Sequence, residues 1–98
     1  MRYDVAVMAV FAIISLGENA EALDAKIKES FPAENFFFLA GGRWLVVGDG
    51  IAKDISDRLG TSAIVGLFAV FAVSGYFGWA PNTVWEWLAL KSVTVKHG

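Results

Sequence analysis

With 98 residues, the chain has the length of about one domain, and we expect residues 1–98 to form a single domain with a polar tail at 96–98. Apolar residues make up 56% of the chain and charged residues 18%, which excludes a disordered tail, a coiled coil and a collagen-like chain. The net charge of −2 argues against a strongly basic nucleic-acid clamp, and the absence of cysteine excludes disulfides, thiolate metal sites and cysteine nucleophiles.

The first predicted element is a strand over residues 5–14, because this segment is rich in the valine, isoleucine and phenylalanine that favour strands. Arg2 before an apolar run, and a small-residue pattern at 20–22, also outline a secretory signal peptide. Asp4, however, lies where such a peptide carries positive charge, so we interpret the run as a buried strand. We accordingly expect a cytoplasmic protein.

The second predicted element is an amphipathic helix over residues 18–30. Leu23, Ile27 and Phe31 recur at intervals of four, with charged side chains between them. Pro32 then ends the helix, because proline cannot continue the hydrogen-bonded backbone.

A hairpin is predicted next, because glycines separate two short apolar runs at residues 36–39 and 43–47. Asp49 follows as the expected N-cap of a short helix over residues 51–59. This helix is also amphipathic, since apolar residues recur at every fourth position and charged residues fill the remaining face.

The uncharged stretch at residues 59–85 is long enough to raise the question of a membrane span. Its dense apolar part covers only residues 63–73, and turn-forming residues interrupt the rest. We therefore interpret 63–73 as a fourth strand and expect no membrane association, with a small membrane protein as an alternative. Pro81 then opens a helix that reaches Lys91, and residues 92–95 form a short fifth strand.

Strands and helices thus follow one another as β-α-β-β-α-β, with a further helix and a fifth strand behind them. This order predicts an α+β domain in which a ferredoxin-like antiparallel sheet, with strands in the order 4-1-3-2, carries helices on one face. The alternation expected of a half-exposed sheet is missing, because both faces of the first and fourth strands are apolar.

The second apolar face is larger than a monomer usually exposes. We expect it to pack on another copy of the chain in a homodimer, while residues 92–95 pair with the fourth-strand edge of the partner. The alternative is that the helix after Pro81 folds back over part of this face. The side chains expected at the interface are Met8, Val10, Ile64, Phe68, Val70, Val93 and Val95.

Several segments also carry a family resemblance. The sequence reads RWLV at 43–46, DISDRL at 54–59, SGYFGWAP at 74–81 and VWEWL at 84–88. These motifs resemble a group of small bacterial and phage proteins that is labelled SinR-like. That group is similar in fold to virulence-associated protein D and to the CRISPR-associated small endoribonucleases. The resemblance covers most of residues 35–87 and implies a fold of the kind that forms dimers.

In the nuclease relatives, a carboxylate at the end of the first strand holds a metal ion with its mate across the dimer. The corresponding stretch here is residues 11–15, which contains no carboxylate, and the nearest acids are Asp4 and Glu18. The missing carboxylate argues against the metal-dependent RNA cleavage that the resemblance would otherwise imply, and we expect no cofactor.

Few residues suit catalysis. His97 is the only histidine, and we expect it to belong to a frayed tail rather than to act as a general base. Asp49, Asp54 and Asp57 are weak candidates for a metal site, since carboxylates attract Mg²⁺. The more common roles of such residues at the start of a helix are capping and solvation.

The last cluster of interest is aromatic and consists of Tyr76, Trp79, Trp85 and Trp87. Aromatic side chains stack on unpaired bases, but single-strand binding also needs a basic groove, which the charge pattern does not support. We expect the cluster to form a hydrophobic plug under the last helix. The sequence thus predicts a non-enzymatic homodimeric binding or assembly protein, with a metal-dependent ribonuclease as the alternative.

Overall fold

The computed structural model describes residues 8–18 and 20–94, and for 92–94 the backbone only. Over these residues the chain forms helices and a four-stranded antiparallel sheet, so the α+β class is confirmed. The elements, in chain order, are β1 (Met8–Ser15), α1 (Glu21–Ser30), a 3-10 turn (Ala33–Asn35), β2 (Phe36–Phe38), β3 (Arg43–Asp49), α2 (Ala52–Leu59), α3 (Ser62–Val65), β4 (Phe68–Ala72) and α4 (Asn82–Thr94). None of the helices in this part of the chain is long and apolar enough to cross a membrane.

The strands lie in the order β2-β3-β1-β4, which reads 4-1-3-2 from the opposite edge. β1 lies inside the sheet, with Met8 opposite Asp49 of β3 and Ser15 opposite Phe68 of β4. The β2–β3 hairpin forms where the sequence predicts it, and Gly41 in its turn has a φ of 61°, which glycine adopts without steric cost. Within the described sheet, β2 and β4 are therefore the two edge strands.

One face of the sheet is closed by α1 and α2. Both helices present the apolar stripe that the sequence predicts, with Leu23 and Ile27 on α1 and Ile55 and Leu59 on α2 completely buried. We call the buried cluster on this face the first core. Its members are Phe11, Ile13, Leu23, Ile27, Phe31, Trp44, Val46, Ile55, Leu59 and Val65.

The other face is covered in part by α4, which packs against side chains of β1, β2 and β3. Val84 and Leu88 supply the inner side of this helix. Among the described residues, the last helix therefore folds back over its own sheet, which is the alternative arrangement set out above. The second core consists of the buried residues Val10, Leu45, Val47 and Leu88, with Met8, Ala12, Phe37, Leu39, Val73, Val84, Trp85 and Trp87 partly buried against them.

The predicted fourth strand over residues 63–73 is too long. Its first part belongs to α3, after which Gly66 has a φ of 82° and β4 begins at Phe68. The glycine allows a reversal that residues with side chains rarely make, so α3 can turn Val65 into the first core. Ile64, expected at a sheet interface, lies instead on this short helix and is exposed.

The predicted fifth strand is wrong where the structure describes it. Val93 belongs to the last turn of α4, while Val95 and the tail at 96–98 lie outside the described residues. The helix continues past Lys91 because neither glycine nor proline interrupts it. This continuity overrides the local strand preference of the valine and threonine residues, so the described part of the segment does not complete the sheet.

The predicted interface residues do not share a face. Because Ile13 lies opposite Val70, Phe68 and Val70 pack against the first core, beneath α1 and α2. Met8 and Val10 lie on the other face, beneath α4. The alternation of side chains shows which residues of one strand share a face. It does not show how that strand is aligned with its neighbour, and shifting the pairing register by one residue moves every side chain of the strand to the opposite face of the sheet.

Candidate functional site

The exposed apolar surface is concentrated in one uncharged segment, residues 60–85. Scattered apolar residues are normal on a protein surface, whereas a concentration of them indicates a binding site. Of the ten large apolar side chains that are exposed in the described part of the chain, six belong to this segment: Ile64, Leu67, Phe71, Tyr76, Phe77 and Trp79.

At the centre of the segment, the β4 edge (Phe68–Ala72) has β1 on one side and no described strand on the other. The N–H of Val73 donates to the carbonyl oxygen of Val10, and the N–H of Leu16 donates to that of Leu67, each over 2.9 Å. Alternate residues of an antiparallel strand direct both backbone groups to the same neighbour. These two hydrogen bonds therefore assign the odd-numbered residues of β4 to β1.

The even-numbered residues of β4 consequently direct their N–H and C=O groups away from the sheet. These residues are Phe68, Val70 and Ala72. Neither a proline nor a charged side chain interrupts the strand, although edge strands commonly carry one or the other to prevent further pairing. Leu67 and Phe71 lie in this part of the chain, and 63% and 53% of their surfaces are exposed. Among residues 8–18 and 20–94, the β4 edge is thus both unpaired and apolar.

The aromatic residues do not form the single plug that the sequence predicts. Tyr76 stacks on Trp85 with ring centroids 5.9 Å apart, and Trp87 stacks on Phe37 at 5.7 Å. Trp79 contacts neither stack in this way and is fully exposed. Trp85 and Trp87 belong to α4 itself and are partly buried against the second core, whereas Tyr76 and Trp79 lie in the exposed loop between β4 and α4.

A cleft of about 450 Å³ lies between the β2–β3 hairpin and the start of α4. Arg43 supplies the charge in its lining, and Phe37, Phe38 and Trp79 supply aromatic surface. The Arg43 Nε already donates to the carbonyl oxygen of Ala40 over 3.1 Å. One cation that is partly engaged in its own turn does not make the basic groove that single-stranded nucleic acid requires.

Two of the three candidate metal-binding acids, Asp54 and Asp57, have local structural roles. Asp49 pairs opposite Met8 at the end of β3 and is not the N-cap of α2, because β3 extends two residues further than predicted. Ile51 is the N-cap instead, and the carboxylate of Asp54 accepts a hydrogen bond from the Ile51 N–H over 2.7 Å. In residues 8–18 and 20–94, no three acidic or histidine side chains converge in a way that could hold a metal ion.

The third acid, Asp57, forms an ion pair with Lys53 one turn earlier on α2, with 2.9 Å between Oδ2 and Nζ. The hydrogen bond and the negative charge of Asp57 raise the pKa of Lys53 above its usual value. Both side chains are exposed, so the pair belongs to the solvated face that the sequence predicts.

One polar contact was not predicted. The indole Nε1 of Trp44 donates to Oδ1 of Asp24 over 3.1 Å, and the other carboxylate oxygen of Asp24 pairs with Lys28 at 2.9 Å. A shallow cavity of about 340 Å³ lies beside this group, between α1 and the hairpin. A tryptophan in a central strand needs an acceptor for its N–H. This requirement could have indicated from the sequence that Trp44 has a polar partner. Asp24 on α1 is that partner.

In the described part of the chain, the surface thus offers the apolar β4 edge, the aromatic loop that follows it, and the clefts beside Trp44 and Arg43. Of the predicted site residues, Phe68 and Val70 lie in the β4 edge, while Ile64 and the loop aromatics lie on the same uncharged segment. Comparisons with protein-family models, with curated proteins and with solved structures find no match to this chain.

Proposed function

We propose that this protein is a non-enzymatic, homodimeric binding or assembly module with a ferredoxin-like fold, belonging to the SinR-like group that its sequence resembles and acting in the cytoplasm. The observation that carries the proposal is the exposed apolar surface of the uncharged segment, residues 60–85. Burying a leucine or phenylalanine side chain stabilises a complex by about 1.5–3 kcal/mol relative to leaving it in water. Several such side chains exposed in one segment therefore favour association.

A ferredoxin-like fold is supported by the element order together with the strand order 4-1-3-2. α1 and α2 lie on one face of the sheet, as a split β-α-β arrangement requires. α4 is an addition on the other face, where it covers β1, β2 and β3. This face of β1, β2 and β3 is therefore partly closed to a partner, whereas Phe71 and Ala72 of β4 and the loop that follows remain exposed.

A second copy is the partner that best fits this surface. The uncharged segment offers no ionic group to attract or repel a charged partner, so an uncharged apolar surface complements it best. Another copy of the chain supplies such a surface at the same concentration, and twofold homodimers are the commonest assemblies of this kind.

A binding role, rather than catalysis, is supported by what the acidic side chains do. The carboxylate of Asp54 accepts a hydrogen bond from the backbone at the start of α2, and Asp57 forms an ion pair with Lys53. Asp24 accepts a hydrogen bond from the indole N–H of Trp44. Each of these three carboxylates therefore has a structural partner. We therefore expect RNA incubated with Mg²⁺ or Mn²⁺ to be cleaved no faster by the wild type than by the Asp49→Ala, Asp54→Ala double variant.

Sedimentation equilibrium of the wild-type chain over a wide concentration range tests the assembly. We expect the mass of a dimer, with dissociation only on dilution. A monomer at every concentration would contradict the homodimer. Metal-dependent RNA cleavage that the double variant loses, while its circular dichroism matches the wild type, would instead establish the ribonuclease alternative.

A further inference from the structure

We propose that two copies join through their β4 edges, paired antiparallel about a twofold axis at Val70, so that the two sheets become one sheet of eight strands. This inference rests on the proposed homodimer and assigns its interface. It follows from the backbone hydrogen bonds of β4, from its side-chain pattern and from the absence of charge along it.

The backbone groups of β4 restrict the register of such a pairing. The outward-facing residues are Phe68, Val70 and Ala72, each with one N–H and one C=O group. An antiparallel pair forms two hydrogen bonds wherever two outward-facing residues lie opposite each other. With Val70 opposite Val70 of the second copy, all three residues are used in each copy, which gives three pairs and six hydrogen bonds. If one strand is shifted by two residues relative to the other, in either direction, only two of the three outward-facing residues in each copy still lie opposite outward-facing residues of the second copy.

The side chains fit the same register. β4 has the sequence FAVFA. When two copies are paired antiparallel about the central valine, each of the four remaining positions places a phenylalanine opposite an alanine. Phe68 lies opposite Ala72 of the second copy, and Phe71 lies opposite Ala69. A large side chain beside a small one packs without a clash or a gap, whereas facing phenylalanines would compete for the same space.

The edge carries nothing that would oppose this pairing. Edge strands usually avoid association through proline, lysine or an inward charge, and β4 has none of them. The segment expected to cover the edge is helical up to Thr94, so its described part does not occupy this position as a strand. Two copies of β4 also bring no like charges together.

Exposed apolar side chains add to the backbone pairing. Leu67 and Phe71 are both more than half exposed. In this register Leu67 lies opposite Val73 of the second copy, and Phe71 lies opposite Ala69. Removing these side chains from water on both copies would stabilise the paired edges in addition to the six hydrogen bonds.

Charge placed on the edge tests the interface. We expect the full-length Phe71→Lys variant to sediment as a monomer at concentrations where the wild type is a dimer, because two lysines would lie within the paired strands. Ile51→Lys is the control, since it also replaces an exposed apolar side chain by lysine, at a position that is 66% exposed and lies outside the edge. It should remain a dimer. Ala72→Lys, at an exposed alanine, gives a second monomeric variant whose fold is checked by circular dichroism.

Cysteine pairs test the register. The natural chain has no cysteine, so any disulfide reports on an introduced pair. Residues 69 and 71 of different copies should have Cα atoms about 4.5 Å apart, within the range of a disulfide. On oxidation we expect a mixture of Ala69→Cys and Phe71→Cys chains to form cross-linked heterodimers faster than either variant cross-links with itself.

Failure of this inference differs from failure of the homodimer. A wild type that is always monomeric overturns both. A wild-type dimer that persists in Phe71→Lys and Ala72→Lys, without preferential cross-linking between residues 69 and 71, overturns the β4 interface and leaves the homodimer in place.

Discussion

The two faces of the sheet are closed to different degrees. In the first core, Ile13, Leu23 and Ile55 are completely buried, whereas Val10 and Leu45 of the second core each retain 6% exposure beside many half-buried neighbours. The helices explain the difference. α1 and α2 divide clearly into apolar and charged faces, so each has one way to pack on the sheet. α4 has no such clear division, and Leu90 on this helix is exposed to solvent.

This difference indicates that the two cores have different structural roles. The first core fixes the arrangement of sheet and helices through closely packed side chains, and Arg58 of α2 reinforces it by lying 4.3 Å from the centre of the Phe31 ring. The second core holds α4 through stacked rings such as Phe37 and Trp87, which tolerate small shifts. Substitutions in the first core should therefore cost more stability than equivalent substitutions beneath α4.

The largest effect is expected for Trp44→Ala in the first core. Trp44 is 1% exposed and is held by its hydrogen bond to Asp24. Its removal leaves a cavity that the surrounding helices cannot fill, at a cost of about 3–5 kcal/mol. Urea denaturation followed by circular dichroism measures this change. Trp44→Phe, which keeps most of the volume but loses the hydrogen bond, should cost clearly less, and equal costs would mean that the packing is looser than described.

A smaller effect is expected for Leu88→Ala in the second core. Leu88 is 3% exposed, but α4 can move toward the sheet and close part of the cavity, so we expect about 2–3 kcal/mol, the lower part of the range for such substitutions. Leu90→Ala is the matched control on the same helix, because Leu90 is 62% exposed and should change stability little. Similar denaturation midpoints for the two variants would show that α4 does not contribute a core.

The sequence predicts those parts of the fold that depend on local pattern. The stripes on α1 and α2, the glycine hairpin and the stop at Pro32 each follow from residues within one or two turns of the element. A four-stranded antiparallel sheet also follows, because element order restricts the topology of a small sheet.

The parts that were not predicted depend on distant contacts. Phe68 and Val70 alternate as a strand should, but their assignment to the first core depends on the register with β1, which no local pattern contains. The polar group around Trp44 likewise requires α1 to be placed next to β3 before Asp24 can be recognised as its partner. Val93 has a strand preference that the rest of α4 overrides. The open edge of β4 became visible only when these placements were known.

The smallest effect that we predict is at Gly66, where α3 of the closed core meets the open β4 edge. Its φ of 82° and ψ of 178° lie in a region that is essentially restricted to glycine, although no atom would contact an added Cβ within 4 Å. The cost of Gly66→Ala should therefore come from backbone strain alone, about 1–3 kcal/mol. Gly17→Ala is the control, because an added Cβ there also meets nothing within 4 Å and its φ lies outside the left-handed region. Equal denaturation midpoints for the two variants would mean that the backbone conformation at Gly66 causes no strain in alanine. The turn between α3 and β4 would then not depend on glycine.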